Sequence, residues 1–427
     1  MNLPEETRPL RVLVVHERYR QSGGEDGVAA AESDLLEAHG HRVERLLVDN
    51  REIPGRPGPA ERLRLGAGTV WSTRWAADVE RRARALDADV VHVHNTLPLL
   101  SPAVLVGARR AGAATVQTLH NYRLICPVAT LYRDGRPCDD CVGRTLAWPG
   151  VLHACYRDSR SQTAAVAAML AVHRLRGTWQ RDVDRFIALT AFARDQLVRG
   201  GLPASRIVIK PNFLAEPPAD QLTDDRSDAS VGAAGDAAAG PRGRQPEPGR
   251  FLFLGRLVPE KGVRTLLAAL RLSRGSFSVR IAGSGPLEAD VRAAAAMDPR
   301  IVALGHLPAD GVRAELDRAT ALLVPSEWFE GFGLVIVEAF ARQVPVLASR
   351  LGSLQEIVAD GRTGRLFPSG DPAGLAAMLD WACDHPIELV AMGRAGRDDY
   401  QARYTAEANY PQLMAIYAGA MAQRQRR

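Results

Sequence analysis

The sequence contains no apolar run that approaches the roughly 20 residues needed to cross a bilayer. Its apolar stretch at residues 12–15 is too short for the core of a secretory signal peptide, and acidic Glu5 and Glu6 precede it. Aromatic residues make up only 6% of the chain, and they are not interleaved with clustered Lys and Arg as in proteins that bind nucleic acid. We therefore expect a cytoplasmic protein that does not span a membrane and has no nucleic-acid partner.

A G-x-G-x-x-G motif is also missing after the first predicted strand of either half of the chain, which argues against a dinucleotide-dependent oxidoreductase. The charge excess is small, with 54 basic and 49 acidic residues spread along 427 positions. A net charge of +5 permits anionic partners, such as nucleotide phosphates or a lipid surface. The length allows two ordinary domains, each with its own core.

What the chain does contain is an alternation of short β-branched runs with longer amphipathic stretches. In the first half, this pattern predicts strands at residues 11–16, 43–48, 89–94, 114–119 and 185–189. It predicts helices at residues 28–38, 102–111, 164–175 and 191–199. Strands that alternate with helices indicate a parallel sheet covered by helices on both faces.

Residues 215–249 interrupt this alternation. They are mostly Ala, Gly, Pro and Asp, with Leu222 and Val231 as the only larger apolar residues. Such a segment buries too little apolar surface to offset the entropy of ordering it, so we predict a disordered linker.

The alternation then restarts. Strands are predicted at residues 251–255, 278–282, 301–304, 321–324 and 344–348, and helices at 263–270, 287–296, 312–319 and 334–342. The chain is thus predicted to be α/β, with Rossmann-like doubly wound domains at residues 1–214 and 250–405 that face each other across a cleft. A last helical segment, residues 406–427, could cross back to the first domain.

Two cations flank the turn after the first strand of the second half. Arg256 follows that strand and Lys261 opens the next helix, so both side chains can reach one anion such as a diphosphate. Gly283 and Gly285 follow the next strand, where they would let a ligand approach the backbone at a helix N-terminus. Taken singly, these residues are also compatible with exposed surface charges and a plain tight turn.

The most informative segment runs from Glu330 to Glu338. Gly331 and Gly333 expose backbone N–H groups, and a helix is predicted to begin near Leu334. The two carboxylates can accept hydrogen bonds from vicinal hydroxyls, as on a ribose or a hexose. The alternative is one glutamate in the first turn of a helix and one solvated glutamate, but the whole string favours a sugar-nucleotide ligand.

Together, Gly255-Arg256-Leu257, Lys261-Gly262 and the Glu-x7-Glu string resemble the retaining glycosyltransferases of family 4, which have the GT-B fold. The resemblance covers nearly the whole chain apart from the linker. It implies that His120, Glu330, Arg256 and Lys261 are catalytic, with both cations on the donor diphosphate and His120 beside the transferred sugar. It implies that the donor is bound by Gly23, Gly24, Gly283, Gly285, His306, Gly331, Phe332, Gly333, Leu334 and Glu338. Without the resemblance, His120 would be interpreted as a capping or core histidine at a strand end.

The activity implied by this resemblance is the transfer of a sugar from a nucleoside-diphosphate sugar to a glycan or a lipid-linked acceptor, with retention of the anomeric configuration. A role in cell-surface polysaccharide or glycoconjugate biosynthesis is implied as well. No cofactor is required for catalysis, since Arg256, Lys261 and helix N-termini can replace a metal. Two alternatives stay open: a non-catalytic GT-B protein that binds nucleotide or acts as a scaffold, and a sugar-nucleotide epimerase or hydrolase.

Four of the five cysteines lie in one insertion, residues 122–157: Cys126, Cys138, Cys141 and Cys155. Four thiols that include one C-x-x-C pair could bind a structural zinc ion tetrahedrally. A second C-x-x-C pair is absent, so a reduced or redox-labile set is the alternative.

A basic stripe with one tryptophan follows a helix of the first half: Arg174, Arg176, Trp179 and Arg181. Such a stripe suits an anionic membrane surface at the inner face of the membrane, where lipid-linked acceptors are found. A solvated helix end explains it equally well.

Overall fold

The computed structural model describes residues 8–19, 23–53, 58–214 and 245–426, which form two compact α/β units. The first unit contains the described residues up to Asn212, the segment Trp328–Phe332 and the described residues from Asn409 onward. The second unit contains the described residues of Phe213–Glu327 together with Gly333–Ala408.

The first unit is built on one parallel sheet. Its strands are β1 (Arg11–Arg18), β2 (Arg42–Asp49), β3 (Val90–Val93), β4 (Ala114–Leu119), β5 (Tyr132–Arg133), β6 (Arg136–Pro137), β7 (Arg185–Ala188) and β8 (Ile207–Ile209). Six of them pair in parallel in the order β2-β1-β3-β4-β7-β8, while β5 and β6 form a separate antiparallel pair. Its helices are α1 (Gly24–Ala38), α2 (Pro59–Val70), α3 (Thr73–Leu86), α4 (Ala103–Arg110), α5 (Trp148–Leu152), α6 (Arg160–Arg176), α7 (Thr178–Arg181) and α8 (Ala191–Arg199).

The second unit repeats this architecture. Its strands are β9 (Arg250–Leu254), β10 (Ser278–Ala282), β11 (Ile301–Gly305), β12 (Ala321–Val324), β13 (Val346–Ser349) and β14 (Gly364–Phe367). They pair in parallel in the order β11-β10-β9-β12-β13-β14. Its helices are α9 (Val263–Leu272), α10 (Glu288–Met297), α11 (Ala309–Arg318), α12 (Leu334–Ala341), α13 (Leu354–Ile357), α14 (Pro372–Asp384) and α15 (Pro386–Arg403), and the chain ends in α16 (Ala406–Gln425).

Alternation of side chains along β1 explains why the first sheet is covered on both faces. Val12 and Val14 are buried in the cluster that includes Tyr417 of α16, whereas Leu13 and Val15 are buried in the cluster that includes helices α3 and α4. Successive strand residues point to opposite faces, so His16, two residues beyond Val14, lies on the α16 face. The sheet therefore directs a row of strand-end side chains toward α1 and α16.

The predicted elements agree with the structure to within a few residues, and the predicted doubly wound parallel sheets are present in each unit. The sequence pattern did not predict α2, α3, α5, α7, the short strands β5, β6 and β8, or the elements between 354 and 403. For α3 the sequence did contain a usable signal, namely Ser72, because serine is favoured at helix N-caps. In the structure its hydroxyl accepts a hydrogen bond from the backbone N–H of Trp75. No helix in the described part of the chain is both long and apolar enough to span a membrane.

Most of the predicted linker, residues 215–244, lies outside the described residues. Residues 245–249 belong to the second unit, where the backbone N–H groups of Gln245 and Glu247 donate to the carbonyls of Asp317 and Arg318. The segment predicted as a terminal helix is helical, and from Asn409 it packs with the first unit.

Candidate active site

Four polar side chains of the first unit lie at the carboxyl ends of its parallel strands, where ligands bind in open α/β sheets. His16 is near the end of β1, His94 follows β3, His120 follows β4 and Lys210 follows β8. The adjacent order of β1, β3 and β4 brings the three histidines together.

His94 and His120 are in direct contact. The Nδ1 atom of His94 lies 3.0 Å from the Nε2 atom of His120, and the two rings are stacked with centroids 5.3 Å apart. His92 lies behind them, with its Nδ1 atom 2.9 Å from the Tyr417 hydroxyl and its Nε2 atom 2.8 Å from the Thr118 hydroxyl. His92 and His94 share one face of β3, as the two-residue period of a strand requires.

Burial keeps these histidines neutral. Loss of hydration lowers the pKa of His120 to about 3 and that of His92 to about 4, and it holds the pKa of His94 well below its ordinary value. The pKa of His16 is lowered for the same reason, although the Asp26 carboxylate opposes the shift. At neutral pH each of these rings therefore has one N–H donor and one acceptor nitrogen.

A buried ion pair completes the cluster. The ammonium of Lys210 lies 2.6 Å from Oε1 of Glu32 and 2.9 Å from Oδ1 of Asn409 in α16. Both members of the pair are at most 1% exposed. Burial alone would raise the pKa of Glu32, but Lys210 and His92 hold it below its ordinary value. Sequence analysis did not identify Glu32 or Lys210.

Two signals in the sequence could have identified this pair. Glu32 lies in the middle of the buried face of α1, between Val28 and Leu36, where an apolar residue is expected. Lys210 and Lys261 are the only lysines among 54 basic residues, and Lys261 was already identified from its motif.

The predicted glycine-rich loop opens α1. Gly23 is the N-cap residue, and its backbone N–H donates to Oδ2 of Asp26 at 3.0 Å. The other oxygen of Asp26 lies 2.7 Å from Nε2 of His16. The Asp26 carboxylate is therefore directed at the loop backbone and at His16.

The segment Trp328–Phe332 brings two of the predicted catalytic residues together in the first unit. Gly331 lies so close to the carbonyl oxygen of His120 that a side-chain Cβ at this position would overlap it. Glu330 is 5% exposed, and its carbonyl accepts a hydrogen bond from the Tyr122 hydroxyl. Glu330 and His120 are thus neighbours, although 210 positions separate them in the sequence.

The predicted phosphate-binding loops follow the adjacent strands β9 and β10 of the second unit. They are joined by backbone hydrogen bonds: Gly255 donates to Ala282, and Leu257 donates to Ser284. A Cβ at Gly283 would overlap the carbonyl oxygen of Gly255, and Gly283 has a φ of 148°. A Cβ at Gly285 would likewise overlap the carbonyl oxygen of Leu257. Glycine is therefore required at both positions by the approach of two backbones.

Charged and polar groups surround these loops. Arg256 is 54% exposed, with its guanidinium 3.8 Å from the carboxylate of Glu260. Lys261 ends a short 3-10 turn before α9, and His306 is exposed directly after β11. The structure thus places the two cations and His306 at the same edge of the second sheet.

Helix α12 begins at Leu334, as predicted, with Gly333 as its N-cap residue. Gly333 has no side chain that could cap this N-terminus, so the first turn can offer backbone N–H groups to a ligand. Glu338 lies in α12, where burial raises its pKa. Phe332 and Glu338 are partly buried, and Phe332 belongs to the segment that packs with the first unit.

The four predicted zinc ligands converge on one small cavity of about 10 Å³, which Cys126, Cys138, Cys141 and Cys155 all line. Burial raises the pKa of the Cys141 thiol to about 12 and also raises that of Cys138 and Cys155. Within the described part of the chain, the side chains whose ligand atoms all lie within 4.8 Å of one another are Glu32, His92 and His94, and the thiols do not form such a group.

Only part of the predicted membrane stripe is presented to solvent, since Arg176 and Arg181 are exposed but Arg174 is partly buried and Trp179 is buried. Trp179 is 1% exposed and belongs to the core of the first unit. The guanidinium of Arg174 donates to the backbone carbonyls of Arg144 and Gly200. A buried tryptophan cannot insert into a lipid surface, so the interpretation of Trp179 as a membrane anchor was wrong.

Two family models together match most of the chain. Residues 23–212 match the model of a glycosyl transferase 4-like domain, and residues 248–385 match the model of glycosyl transferases group 1. A glycogen synthase from Mycobacterium tuberculosis is 30% identical over 270 residues, which cover 60% of this chain and 61% of that protein. The chain therefore aligns with about three-fifths of the length of that curated relative.

Two solved structures share the fold across nearly all of both chains. Sucrose-phosphate synthase from Thermosynechococcus elongatus superimposes with a TM-score of 0.65 and 18% identity, over 96% of this chain and 99% of the other. Anabaena HepE, solved in complex with UDP, superimposes with a TM-score of 0.61 and 16% identity, over 95% and 99%.

Proposed function

The chain belongs to the glycosyltransferases described by these two domain models, and from this premise we propose that it transfers a sugar from a nucleoside-diphosphate sugar to a glycan or a lipid-linked acceptor. The observation that supports this most directly is the pair of glycine loops after β9 and β10, with Arg256 and Lys261 beside them. Backbone that is free of side chains and flanked by two cations suits a diphosphate.

The roles of the residues follow from the charge that develops during transfer. Arg256 and Lys261 would stabilise the departing diphosphate, which carries the negative charge once the glycosidic bond to it breaks. Glu338, near the N-terminal turn of α12, would hold the ribose hydroxyls of the nucleotide, while Gly333 and Leu334 would offer their backbone N–H groups. Gly283, Gly285 and His306 complete the proposed donor site in the second unit.

His120, Glu330 and Gly331 would contact the transferred sugar. The carboxylate of Glu330 can accept hydrogen bonds from sugar hydroxyls, and His120 remains neutral and so can accept one more. Positioning of the sugar and stabilisation of the leaving diphosphate would supply most of the catalysis. Retention of the anomeric configuration is part of the proposal, and an NMR spectrum of the newly formed linkage tests it.

The first experiment is a thermal-shift screen with UDP-, GDP-, ADP- and dTDP-sugars. The correct donor should raise the melting temperature, because a ligand that binds the native state alone stabilises it. Release of nucleoside diphosphate in the presence of a glycan acceptor should follow. Tight donor binding without transfer or hydrolysis would favour a nucleotide-binding scaffold, and a flat screen would contradict the proposal.

Matched variants test the proposed diphosphate site. R256A and K261A should each weaken donor binding roughly 10- to 100-fold, since a hydrogen bond to a charged group contributes about 1.5–3 kcal/mol. Arg264, an exposed arginine on α9, provides the control R264A, which should bind the donor as the wild type does. Equal effects of all three variants would show that general charge, and not these positions, matters.

We also propose that the first unit contacts an anionic membrane through exposed apolar side chains, and not through Trp179. Helices α2 and α5 both pack against α6, and each of the three helices exposes a large apolar side chain: Leu63 of α2 at 77%, Trp148 of α5 at 52% and Leu175 of α6 at 78%. The guanidinium of exposed Arg144 lies over the Trp148 ring. Apolar side chains among arginines suit a surface of anionic lipid.

Vesicle flotation tests this surface. L175E should bind vesicles that contain anionic lipid more weakly than the wild type does. The control is I387E, because Ile387 is 81% exposed but lies in the second unit. Binding that ignores the anionic lipid content, or that both variants reduce equally, would contradict the proposal.

A further inference from the structure

A continuous chain of buried polar contacts leads from Lys210 to His120. The Lys210 ammonium lies 2.6 Å from Oε1 of Glu32, and Oε2 of the same carboxylate lies 3.6 Å from Nε2 of His94. The Nδ1 atom of His94 then lies 3.0 Å from Nε2 of His120. Lys210, Glu32 and His94 are all at most 4% exposed.

A metal ion is a poor explanation for this cluster, although Glu32, His92 and His94 are close enough to share one. Both ring nitrogens of His92 are already within hydrogen-bond distance of the hydroxyls of Tyr417 and Thr118. The Glu32 carboxylate is paired with an ammonium, which would repel a second cation. The cluster therefore needs an explanation in terms of protons.

Oε2 of Glu32 and Nε2 of His94 are two buried atoms that have no hydrogen-bond partner among the described residues, and they lie 3.6 Å apart. The carboxylate is ionised beside Lys210 and can only accept hydrogen bonds. A bare ring nitrogen would present its lone pair to a negative oxygen, whereas an N–H is attracted to it, so the proton of His94 belongs on Nε2.

This assignment fixes the state of the next ring. With its proton on Nε2, neutral His94 has an unprotonated Nδ1, which can only accept. The contact at 3.0 Å then requires an N–H on Nε2 of His120. In neutral His120 this leaves Nδ1 as the nitrogen that can accept a hydrogen bond.

We propose that Lys210, Glu32 and His94 are positioning residues, which hold His120 in the tautomer with a proton on Nε2 and present its Nδ1 as an acceptor for a hydroxyl group of the sugar substrate. The part played by the hydroxyl rests on the proposed function. The tautomer itself does not, because it follows from contacts within the free protein.

A lysine is well suited to begin this chain. Its three ammonium protons have three acceptors, namely Oε1 of Glu32, Oδ1 of Asn409 and, at 3.5 Å, the carbonyl oxygen of Pro211. The side chain of Asn409 is itself fixed, since its Nδ2 donates to the same carbonyl at 2.8 Å. The charge that orients the two histidines is thus held in one place.

The test is NMR spectroscopy of protein with ¹⁵N-labelled histidine, with H120N used to assign the signals. The expected result for the free wild-type protein is a neutral His120 with a protonated Nε2. A His120 with its proton on Nδ1, or a cationic His120 at pH 7.5, would overturn the proposal. This measurement needs no substrate, so it can succeed or fail independently of the glycosyltransferase activity.

The variant E32Q tests the series of contacts from Lys210 to His120. A glutamine amide can donate as well as accept a hydrogen bond, so it no longer determines which ring nitrogen of His94 carries the proton. We expect both tautomers of His120 in the spectrum and at least a 10-fold lower kcat for nucleotide release. The KM for the donor should change little, because the proposed diphosphate and ribose contacts lie in the second unit. Y417F is the control in the same cluster, since the hydroxyl that it removes lies 2.9 Å from Nδ1 of His92 and is not one of the contacts that lead from Lys210 to His120. Its spectrum and kcat should match the wild type.

A pH profile separates positioning from a purely structural effect. The groups that face the two rings are Glu32, Lys210, His16 and His92, with Tyr417 behind His92. In E32Q the acid limb of the pH profile of kcat should move to a different pH, because the ring of His120 loses a fixed anion two contacts away. In Y417F this limb should stay at the wild-type pH. If E32Q keeps the wild-type tautomer and profile, the positioning role is refuted even where stability falls.

Discussion

Replacing Lys210 with methionine tests how strongly the first unit depends on one buried charge. Methionine preserves most of the side-chain volume and removes the ammonium, which leaves the Glu32 carboxylate at 1% exposure without its cation. Removal of one partner of a buried ion pair costs about 3–5 kcal/mol. For a unit of this size, 1 kcal/mol corresponds to roughly 2–4 °C, so the melting temperature of K210M should fall by about 6–20 °C.

The matching double variant separates charge from packing. In E32Q/K210M both charges are absent and the side-chain volumes are nearly unchanged. The loss of free energy of unfolding should therefore be at least about 2 kcal/mol smaller than in K210M. K261M is the control, because Lys261 is the other lysine of the chain and is only partly buried. It should change the stability of the first unit by less than about 0.5 kcal/mol.

Tryptophan fluorescence during thermal unfolding is a suitable assay. Five of the six tryptophans lie in the first unit, and Trp179 is fully buried there. The signal therefore follows the unit that contains the ion pair. If K210M and E32Q/K210M are destabilised equally, the effect comes from packing around Lys210, and the reasoning about an uncompensated carboxylate is wrong.

Three further predictions concern other parts of the molecule. G283A should lower donor affinity more than 10-fold, because its Cβ would overlap the carbonyl oxygen of Gly255. The control is G305A, at a position with positive φ and open space, which should lower the free energy of unfolding by about 1 kcal/mol and leave donor affinity nearly unchanged. Equal donor binding by the two variants in a titration would contradict this prediction. The free energy of unfolding should fall as the pH drops from 6.5 toward 5, because the unfolded chain protonates histidines whose pKa in the folded protein is about 4 for His92 and about 3 for His120. Each histidine should contribute up to about 1.4 kcal/mol per pH unit, as measured by urea titrations. A stability that does not change with pH over this range would refute the prediction. Purified protein should contain one equivalent of zinc by elemental analysis. The variant C138S/C141S should lose the zinc, and the control C383S should retain it. A wild-type protein without zinc would show that the cluster consists of reduced thiols.

The sequence predicted well those features that depend on local pattern and spacing. Parallel strands follow from β-branched runs, and the loops that contain Gly283 and Gly331 follow from motifs in which glycine has a steric reason to be present. The start of α12 at Leu334 follows from the same segment. Each of these features is decided by a few neighbouring residues.

The rest depended on contacts between distant segments. Glu32 and Lys210 are 178 positions apart, and only the pairing of β7 with β8 and the packing of α1 place them together. Trp179 was wrongly assigned to a surface, because flanking arginines indicate exposure in sequence while its burial is decided by the core of the first unit. A charge pattern along the sequence cannot show which of its residues the rest of the fold covers.

The rarity of lysine connects the two halves of the proposed mechanism. The chain uses arginine for nearly every cation, and lysine occurs only at Lys210 and Lys261. Arginine offers a planar fork of donors, whereas the lysine ammonium is a compact charge that can direct three protons at acceptors on different segments. Lys210 meets this description, with acceptors from α1, α16 and the backbone beside it. The same property would let Lys261 approach the oxygens of a diphosphate at the start of α9, so we infer that compact charge, and not positive charge alone, is what both positions require.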